Sequence, residues 1–406
     1  MHVFLLGTLD TKGCEIAFVR DLLHEYGVTT CVVDAGCLGS PAIPADITRE
    51  QVFAAAGTSL AAVKDRNDRG HAVTAAANGA ANLIAAAYAR GEVAGVLSMG
   101  GSAGTTIGTT AMRSLPLGLP KLMVSTLASG QTRPYVGGKD ILMLNAVVDI
   151  AGINRISRLV LGEAARAMAG MVTLQSKSPS AQNDKPLIAA SMFGVTTPCV
   201  EHARKILEAA GYEVLVFHAT GNGGEAMEGL IADGLIAGVL DITTTELADE
   251  LVGGILSAGP TRLTAAGKRG IPQVISVGAL DMVNFGPAAT VPERFKDRKF
   301  YQHNPTVTLM RTTVEENRKL GEEVGCKAAA ATGPTCIMVP LKGVSAIDQT
   351  GKAFDDPAAR EALFEGIRAT RGSVELIELD NHINDPSFAE AAARKLLALI
   401  ATAAVT

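Results

Sequence analysis

The feature that most constrains the fold is an apolar run that ends in a cluster of glycines, within Val93–Met112 (VAGVLSMGGSAGTTIGTTAM). The apolar run is long enough for a buried parallel strand, and Gly100, Gly101 and Ser102 interrupt it before a helical segment begins. A strand, a tight turn and a helix start leave backbone N–H groups and the positive end of the helix dipole facing the turn. We therefore expect a phosphate to bind here.

The same pattern of strand, turn and helix recurs along the chain. Val3–Leu6 is an apolar run that breaks at a TLDTKG turn before a helix, and Val28–Val33 is a second strand that ends at Asp34. In the second half, Ala237–Leu240 repeats the AGVL of Ala94–Leu97 letter for letter, again ahead of a polar turn and a helix. We predict two similar α/β domains, each a doubly wound, mostly parallel, Rossmann-like sheet with helices on both faces.

Three further segments organise the chain. The polar stretch Ser176–Asp184 is the best linker, which predicts an N-terminal domain at 1–178 and a C-terminal domain at 185–406. We expect Gly36–Ser59, which contains two prolines, to be a loop that could cover a ligand. In the C-terminal domain, Ala279–Pro292 and Arg294–Pro305 are expected to be long polar loops.

The composition excludes several classes of protein. Hydrophobic residues make up 48% and charged residues 19% of the chain, so it is not disordered, and a net charge of -5 lacks the basic footprint of nucleic-acid binders. No apolar run is long and uncharged enough to span a bilayer, and the first residues do not read as a signal peptide. The six cysteines lack CxxC spacing, which indicates free thiols in a reducing compartment. We expect a cytoplasmic protein with no nucleic-acid or membrane partner.

Candidate nucleotide-binding residues follow the ends of strands in the first half, where open parallel sheets bind ligands. GGSAGT matches neither the Walker motif nor GxGxxG, so by itself it is as typical of a close-packed turn as of a phosphate site. Neighbouring turns add hydroxyls, a lysine for phosphate charge and an aspartate that could bind ribose hydroxyls. The predicted nucleotide-binding residues are Thr8, Asp10, Thr11, Lys12, Asp34, Gly100, Gly101, Ser102, Gly104, Thr105, Ser125, Thr126 and Ser129.

The second half is richer in residues suited to acid–base chemistry. A histidine near a carboxylate could act as a general base, although loop histidines more often form structural hydrogen bonds. No HxxxH or HxH spacing supports zinc, so we expect no dedicated metal site. Cys199 follows a proline at a helix start, which favours a thiolate, but a small buried residue is the preferred interpretation. The candidate catalytic residues are His303, Asp281, Asp241, Glu246 and His382.

Several long motifs together resemble one known family. TLDTKG, GGSAGT, STLASGQT, VVDIAGINRIS, GVTTPCV, VLDITTTELAD, VGALDMVNFGP, HNPTVTLMRTT and HINDP are similar to the tomato mosaic virus resistance protein family and its uncharacterised bacterial and fungal relatives of the UPF0261 type. The resemblance covers nearly the whole chain. It implies a two-domain α/β protein whose N-terminal domain binds ATP and which often forms a homodimer. In plants, the resistance protein blocks viral RNA replication by binding the viral replication protein.

Three functions are compatible with these observations. The first is an ATP-binding enzyme that acts on a small metabolite at a cleft between the domains, with Mg²⁺ bridging the phosphates and Asp10 or Asp34 as carboxylate partners. The second is a non-catalytic, nucleotide-dependent binding or regulatory protein. The third is a nucleotide-independent hydrolase or isomerase that uses His303 and Asp281.

Overall fold

The computed structural model describes residues 1–174 and 184–403. Contacts within the chain divide it into two units, Met1–Ala181 (unit 1) and Gln182–Thr406 (unit 2). The predicted linker Ser176–Asp184 lies outside the described residues except for its last residue, so the domain boundary stays a prediction. No helix in the described part of the chain is long and apolar enough to cross a membrane.

Unit 1 is built on a five-stranded parallel sheet. Its strands are β1 (His2–Gly7), β2 (Thr30–Asp34), β3 (Val93–Gly100), β4 (Lys121–Ser125) and β5 (Leu142–Asn145). Its helices are α1 (Leu9–Glu25), α2 (Arg49–Ala55), α3 (Leu60–Arg66), α4 (Arg69–Ala89), α5 (Ser102–Arg113), α6 (Arg133–Val136) and α7 (Arg155–Thr173). The strand order is β2-β1-β3-β4-β5, and the direction in which strands are added reverses between β1 and β3. Ligands bind at such a switch point in open α/β sheets.

The central strands of unit 1 are apolar because both faces of the sheet are covered. In β1, Val3 and Leu5 pack into a core formed with α1 and α7, whereas Phe4 and Leu6 pack into the opposite core against α2 and α4. Alternate residues of a strand point to opposite faces, so a strand between two helix layers must be apolar at every position. The apolar runs that predict these strands follow from this arrangement.

Unit 2 repeats the topology of unit 1 and extends it. Its parallel strands are β6 (Leu187–Met192), β7 (Glu213–His218), β8 (Gly238–Thr243), β9 (Gln273–Gly278), β13 (Thr335–Pro340) and β14 (Glu375–Leu379). Its helices are α8 (Thr197–Ala209), α9 (Asn222–Ala232), α10 (Glu246–Val252), α11 (Ala265–Arg269), α12 (Val314–Ala329), α13 (Pro357–Thr370) and α14 (Pro386–Ala403). The sheet order is β7-β6-β8-β9-β13-β14, with the same reversal after the first strand of the unit. The prediction of two similar doubly wound domains is confirmed.

Three predicted loops are wrong in part. Between β9 and β13, the strands β10 (Met282–Phe285), β11 (Phe300–Asn304) and β12 (Val307–Arg311) form a separate antiparallel sheet, and β10 is fully buried. Its outer strand β11 is exposed along its length, which hides its strand pattern in the sequence. In unit 1, the segment after β2 is not a continuous loop because α2 begins at Arg49, directly after the N-cap Thr48, whose side chain forms a capping box with Gln51.

Candidate functional site

A cavity of about 640 Å³ lies at the carboxyl edge of the unit 1 sheet, at the switch point between β1 and β3. It is built entirely from unit 1 residues. The cavity has a polar side, formed by the residues that follow β1 and β3. The side formed by α3, α4 and α5 combines an apolar wall with polar residues where α3 ends and α4 begins. The predicted residues that line it are Thr8, Asp10, Thr11, Lys12, Gly100, Gly101, Ser102 and Gly104.

The start of α5 supplies free hydrogen-bond donors to the polar side. Gly101 is the N-cap residue, with an extended backbone and no side chain to cap the helix, and the first helical bond joins Thr105 N to its carbonyl oxygen at 2.8 Å. The amides of Ser102, Ala103 and Gly104 therefore donate to no described residue. Such unsatisfied N–H groups, together with the helix dipole, attract an anion.

Glycine is required where α5 approaches β3 closely. A Cβ atom at Gly104 would lie 3.0 Å from the carbonyl oxygen of Met99, and one at Gly108 would lie 2.4 Å from Ser98 Oγ. At Gly101, by contrast, a Cβ atom would meet only Thr126 Oγ1, at 3.7 Å. The glycines at 104 and 108 thus serve packing, whereas Gly101 faces open space.

The residues after β1 face the same space. The hydroxyls of Thr8 and Thr11 form a hydrogen bond, with 2.6 Å between their Oγ1 atoms. Lys12 Nζ donates to the carbonyl oxygen of Ile150. Lys12 interrupts α1 with a non-helical backbone (φ -128°, ψ 15°), so the helix begins with an irregular turn. A lysine ammonium has three N–H donors, so two of them remain for an anion in the cavity.

The apolar side belongs to the core of unit 1. Val63, Ala72, Ala76 and Ile107 line the cavity and are part of one buried cluster, against which Cys37 packs. Burial, followed by the charge of the neighbouring Asp10, raises the pKa of the Cys37 thiol. The thiol is therefore protonated and contributes an apolar wall rather than a nucleophile.

Sequence reasoning missed the part of the cavity between α3 and α4. The missed residues there are Val63, Lys64, Asn67, Asp68, Arg69, Ala72, Val73 and Ala76. Two N-cap residues could have located these helices: Ser59 accepts from Ala62 N, and Asp68 accepts from His71 N. Backbone hydrogen bonding by His71 lowers the pKa of Asp68, as expected for a capping carboxylate.

Asp34 does not act as predicted. It is 2% exposed, and its Oδ1 accepts from Leu9 N at 3.0 Å and Gly36 N at 2.9 Å. Its Oδ2 accepts from Arg49 Nε at 2.7 Å. The carboxylate ties the start of α1 to the segment after β2 and has no oxygen left for ribose, so its role is structural.

The predicted residues around β4 also have structural roles or lie elsewhere. Thr105 and Ser125 are buried and share a hydrogen bond of 2.7 Å between their hydroxyls, and Ser125 Oγ also accepts from Leu127 N. Neither these two residues nor Thr126 and Ser129 line the cavity. The end of β4 and the turn that follows it thus contact α5 outside the cavity.

In unit 2, the residues at and after the end of β8 take part in a buried ion cluster. The fully buried Arg262 donates to both oxygens of Asp241, at 2.5 and 2.7 Å, and to Glu246 Oε2 at 2.7 Å. Glu246 Oε1 accepts from Gly221 N and Gly224 N at the start of α9, at 2.8 and 3.0 Å. The Glu246 carboxylate therefore caps α9, the helix that follows β7.

This cluster gives Asp241 and Glu246 a structural role, in place of the catalytic role that the sequence predicts. Both are 1% exposed or less, and their oxygens already accept from protein donors. Burial raises the pKa of Glu246 even though Arg262 acts in the opposite direction. Asp241 and Glu246 raise the pKa of Arg262 well above its usual value, against the effect of burial, so the guanidinium stays charged.

Of the remaining candidate catalytic residues, Asp281 and His382 meet at Ser345, whereas His303 lies apart from them. His303 is exposed on β11, whereas Asp281 is fully buried and accepts from Ser345 Oγ at 2.8 Å. Burial, then the charge of Asp348, raises the pKa of Asp281 to about 7. His382 is 7% exposed, and both ring nitrogens are bonded within the protein, Nε2 to Ser345 O and Nδ1 to Asn384 N. No contact joins His303 to Asp281 in the described part of the chain.

Two nucleophile candidates also lack the required geometry. Burial raises the pKa of Cys199 to about 12, which leaves no thiolate at neutral pH. Residues 100–104 fit the G-x-S-x-G spacing of serine hydrolases, in which the serine occupies a strained turn. Here Ser102 is the first residue of α5, and its φ is not positive, so the strained turn is missing. Within the described residues, no histidine lines the cavity.

Comparison with known proteins gives long and consistent matches. The model of the Uncharacterised protein family (UPF0261) N-terminal domain matches residues 1–177, and that of its C-terminal domain matches residues 185–400. A UPF0261 protein of Clostridium tetani is 51% identical over 97% of this chain and 98% of its own length. The tomato (Solanum lycopersicum) ToMV resistance protein Tm-1(GCR237) is 40% identical over 96% of this chain, which spans only 54% of that protein.

Solved structures add little. The S. aureus MnaA-UDP co-structure aligns over 93% of this chain and 99% of that chain, with 9% identity and a TM-score of 0.23, too low to carry an argument. The family models, in contrast, cover nearly all of both units. The chain is therefore a member of the uncharacterised UPF0261 family.

Proposed function

We propose that unit 1 is a nucleotide-binding unit that takes ATP in the cavity at the β1–β3 switch point. The observation that carries the proposal is the free amides of Ser102, Ala103 and Gly104, which face a cavity that also contains Lys12 and an apolar wall. The phosphates would bind to the start of α5 and to Lys12. The adenosine would lie against the wall formed by Ala72, Ala76 and their neighbours. A site with an anion-binding end and an apolar end suits a nucleotide.

Mg²⁺ would bind between the phosphates, with most of its ligands from phosphate and water. Asp34 cannot contribute, since its oxygens are committed to Leu9, Gly36 and Arg49. Asp149 also lines the cavity and could supply one carboxylate oxygen. When bound, the ion would offset the negative charge that the phosphates bring into this site.

Calorimetric titration with ATP and Mg²⁺ tests the proposal. We expect saturable 1:1 binding by the wild-type protein. Lys12→Ala should bind ATP at least about tenfold more weakly, because a charge-assisted contact to phosphate is lost. Lys205→Ala is the matched control, because Lys205 is an exposed lysine on α8 in unit 2. Absence of heat from the wild-type protein, or equal binding by Lys12→Ala, would refute the proposal.

Whether the bound nucleotide is consumed separates two forms of this function. The tomato relative is named for resistance to a virus, which favours a nucleotide-dependent binding protein as the alternative to an ATP-dependent enzyme acting on a small metabolite. Prolonged incubation with labelled ATP and candidate metabolites distinguishes them, since intact ATP favours the binding protein. A homodimer and a cytoplasmic location remain predictions, which sedimentation and cell fractionation would test.

A further inference from the structure

Asp10 lines the cavity, but its carboxylate faces the protein. Its side chain is 2% exposed, and Oδ2 accepts from Leu38 N at 2.7 Å and from Gly39 N at 3.3 Å. Gly36 has no room for a side chain beside this carboxylate, because a Cβ atom there would lie 2.6 Å from Asp10 Oδ1. The start of α1 thus holds the turn Gly36–Gly39 through one carboxylate.

This turn forms part of the apolar side of the cavity. Cys37 lines the cavity and packs against the same cluster as Val63 and Ala72. Leu38 also lines it, and this residue is 77% exposed. Arg49 fastens the other side of the turn, with Nη1 donating to Gly39 O at 2.6 Å. The position of the apolar wall at Leu38 therefore depends on two side chains outside the turn.

We propose that Asp10 is a positioning residue, whose carboxylate holds the Gly36–Gly39 turn in place and so sets the affinity for the non-phosphate part of the nucleotide. The inference rests on the proposed function and changes the role that the sequence suggests for Asp10, which is a magnesium ligand. The acceptor capacity of Oδ2 is already used by two amides and Oδ1 lies against Gly36, so we assign the carboxylate to the turn instead of to phosphate or Mg²⁺. Asp10 acts on the ligand through Leu38 and Cys37.

Two ligands separate the two roles. ATP uses both ends of the cavity, whereas inorganic tripolyphosphate uses only the phosphate end. Asp10→Ala should bind ATP at least about tenfold more weakly, which is the scale of one or two lost hydrogen bonds to a charged acceptor. Its binding of tripolyphosphate should be unchanged. Asp10→Asn is the matched control: its amide oxygen can still accept from the turn, so ATP binding should stay within about threefold of wild type.

The outcomes distinguish the inference from the function on which it rests. Equal weakening of ATP and tripolyphosphate by both variants would mean direct contact with phosphate or metal and would overturn the inference. Unchanged ATP binding by Asp10→Ala would overturn it as well. Failure of the wild-type protein to bind either ligand would instead refute the proposed function, and the inference with it.

Two measurements do not depend on the stability of Asp10→Ala. Leu38→Ala truncates an exposed side chain while keeping the amide that Asp10 binds, so we expect weaker ATP binding and unchanged tripolyphosphate binding. Hydrogen exchange of the wild-type protein should show protection of the Leu38 amide although the residue is exposed. Fast exchange of that amide, or unchanged ATP binding by Leu38→Ala, would contradict the proposal.

Discussion

Replacing Gly101 by aspartate should both stabilise α5 and weaken the binding of ATP. Gly101 is the N-cap of α5 with an extended backbone (φ -78°, ψ -154°), a conformation that aspartate adopts readily. A Cβ atom there meets only Thr126 Oγ1, at 3.7 Å, so the side chain is accommodated. Its carboxylate can accept from the free amides of Ala103 and Gly104, the groups that we assign to phosphate.

The two effects differ in sign and size. A new capping carboxylate should raise the free energy of unfolding by about 0.5–1 kcal/mol, from the cap itself and from the helix dipole. The same carboxylate takes the donors that a phosphate would use and adds a like charge, at about 1.5–3 kcal/mol for lost hydrogen bonds to a charged group. ATP should therefore bind about 10- to 100-fold more weakly to Gly101→Asp.

Calorimetric titration with ATP, together with urea denaturation, measures both effects. Gly101→Asn is the control, because it supplies a neutral cap at the same position and should weaken ATP less than the aspartate does. Retention of wild-type ATP affinity by Gly101→Asp would refute the assignment of the phosphate to the start of α5. A loss of affinity that only accompanied unfolding would also count against it.

Three other perturbations have defined outcomes. Arg262→Met should destabilise the protein by about 3–5 kcal/mol in urea denaturation, because Asp241 and Glu246 are left buried without their cation; a cost below about 1 kcal/mol would contradict this. Asp281 has a pKa of about 7 in the folded state against about 3.9 when unfolded, so folding favours its protonated form and stability falls as pH rises between these values. Wild type should thus lose stability relative to Asp281→Asn in urea denaturation as pH rises from 4 to 8, and parallel pH profiles would exclude this. ATP should slow alkylation of Cys37, read by peptide mapping, and leave that of the exposed Cys326 unchanged.

The fold was predictable from the sequence wherever burial leaves a local pattern of apolar residues. The strands of both sheets are apolar at successive positions because helices cover both faces, and each ends at small or polar residues. The repeated AGVL lies at equivalent strands, β3 and β8, and this correspondence made the two-unit architecture predictable. The exposed strand β11 has no such pattern, so the antiparallel sheet was missed.

The site was predictable only in part, because position at a strand end does not say what a side chain contacts. Asp34 and Asp10 both lie where ligand-binding carboxylates occur, yet both bind amides of the protein. The partners of Asp34 include Arg49 in α2, and those of Glu246 include Arg262 in a loop. Such pairings are tertiary and leave no local signal in the sequence.

The central claim is that a phosphate binds to the start of α5 in unit 1. The most direct test is a crystal structure of the protein grown with ATP and Mg²⁺. We expect phosphate oxygens within hydrogen-bond distance of the amides of Ser102, Ala103 and Gly104, with Lys12 on the other side. Nucleotide bound elsewhere, or phosphates turned away from α5, would contradict it.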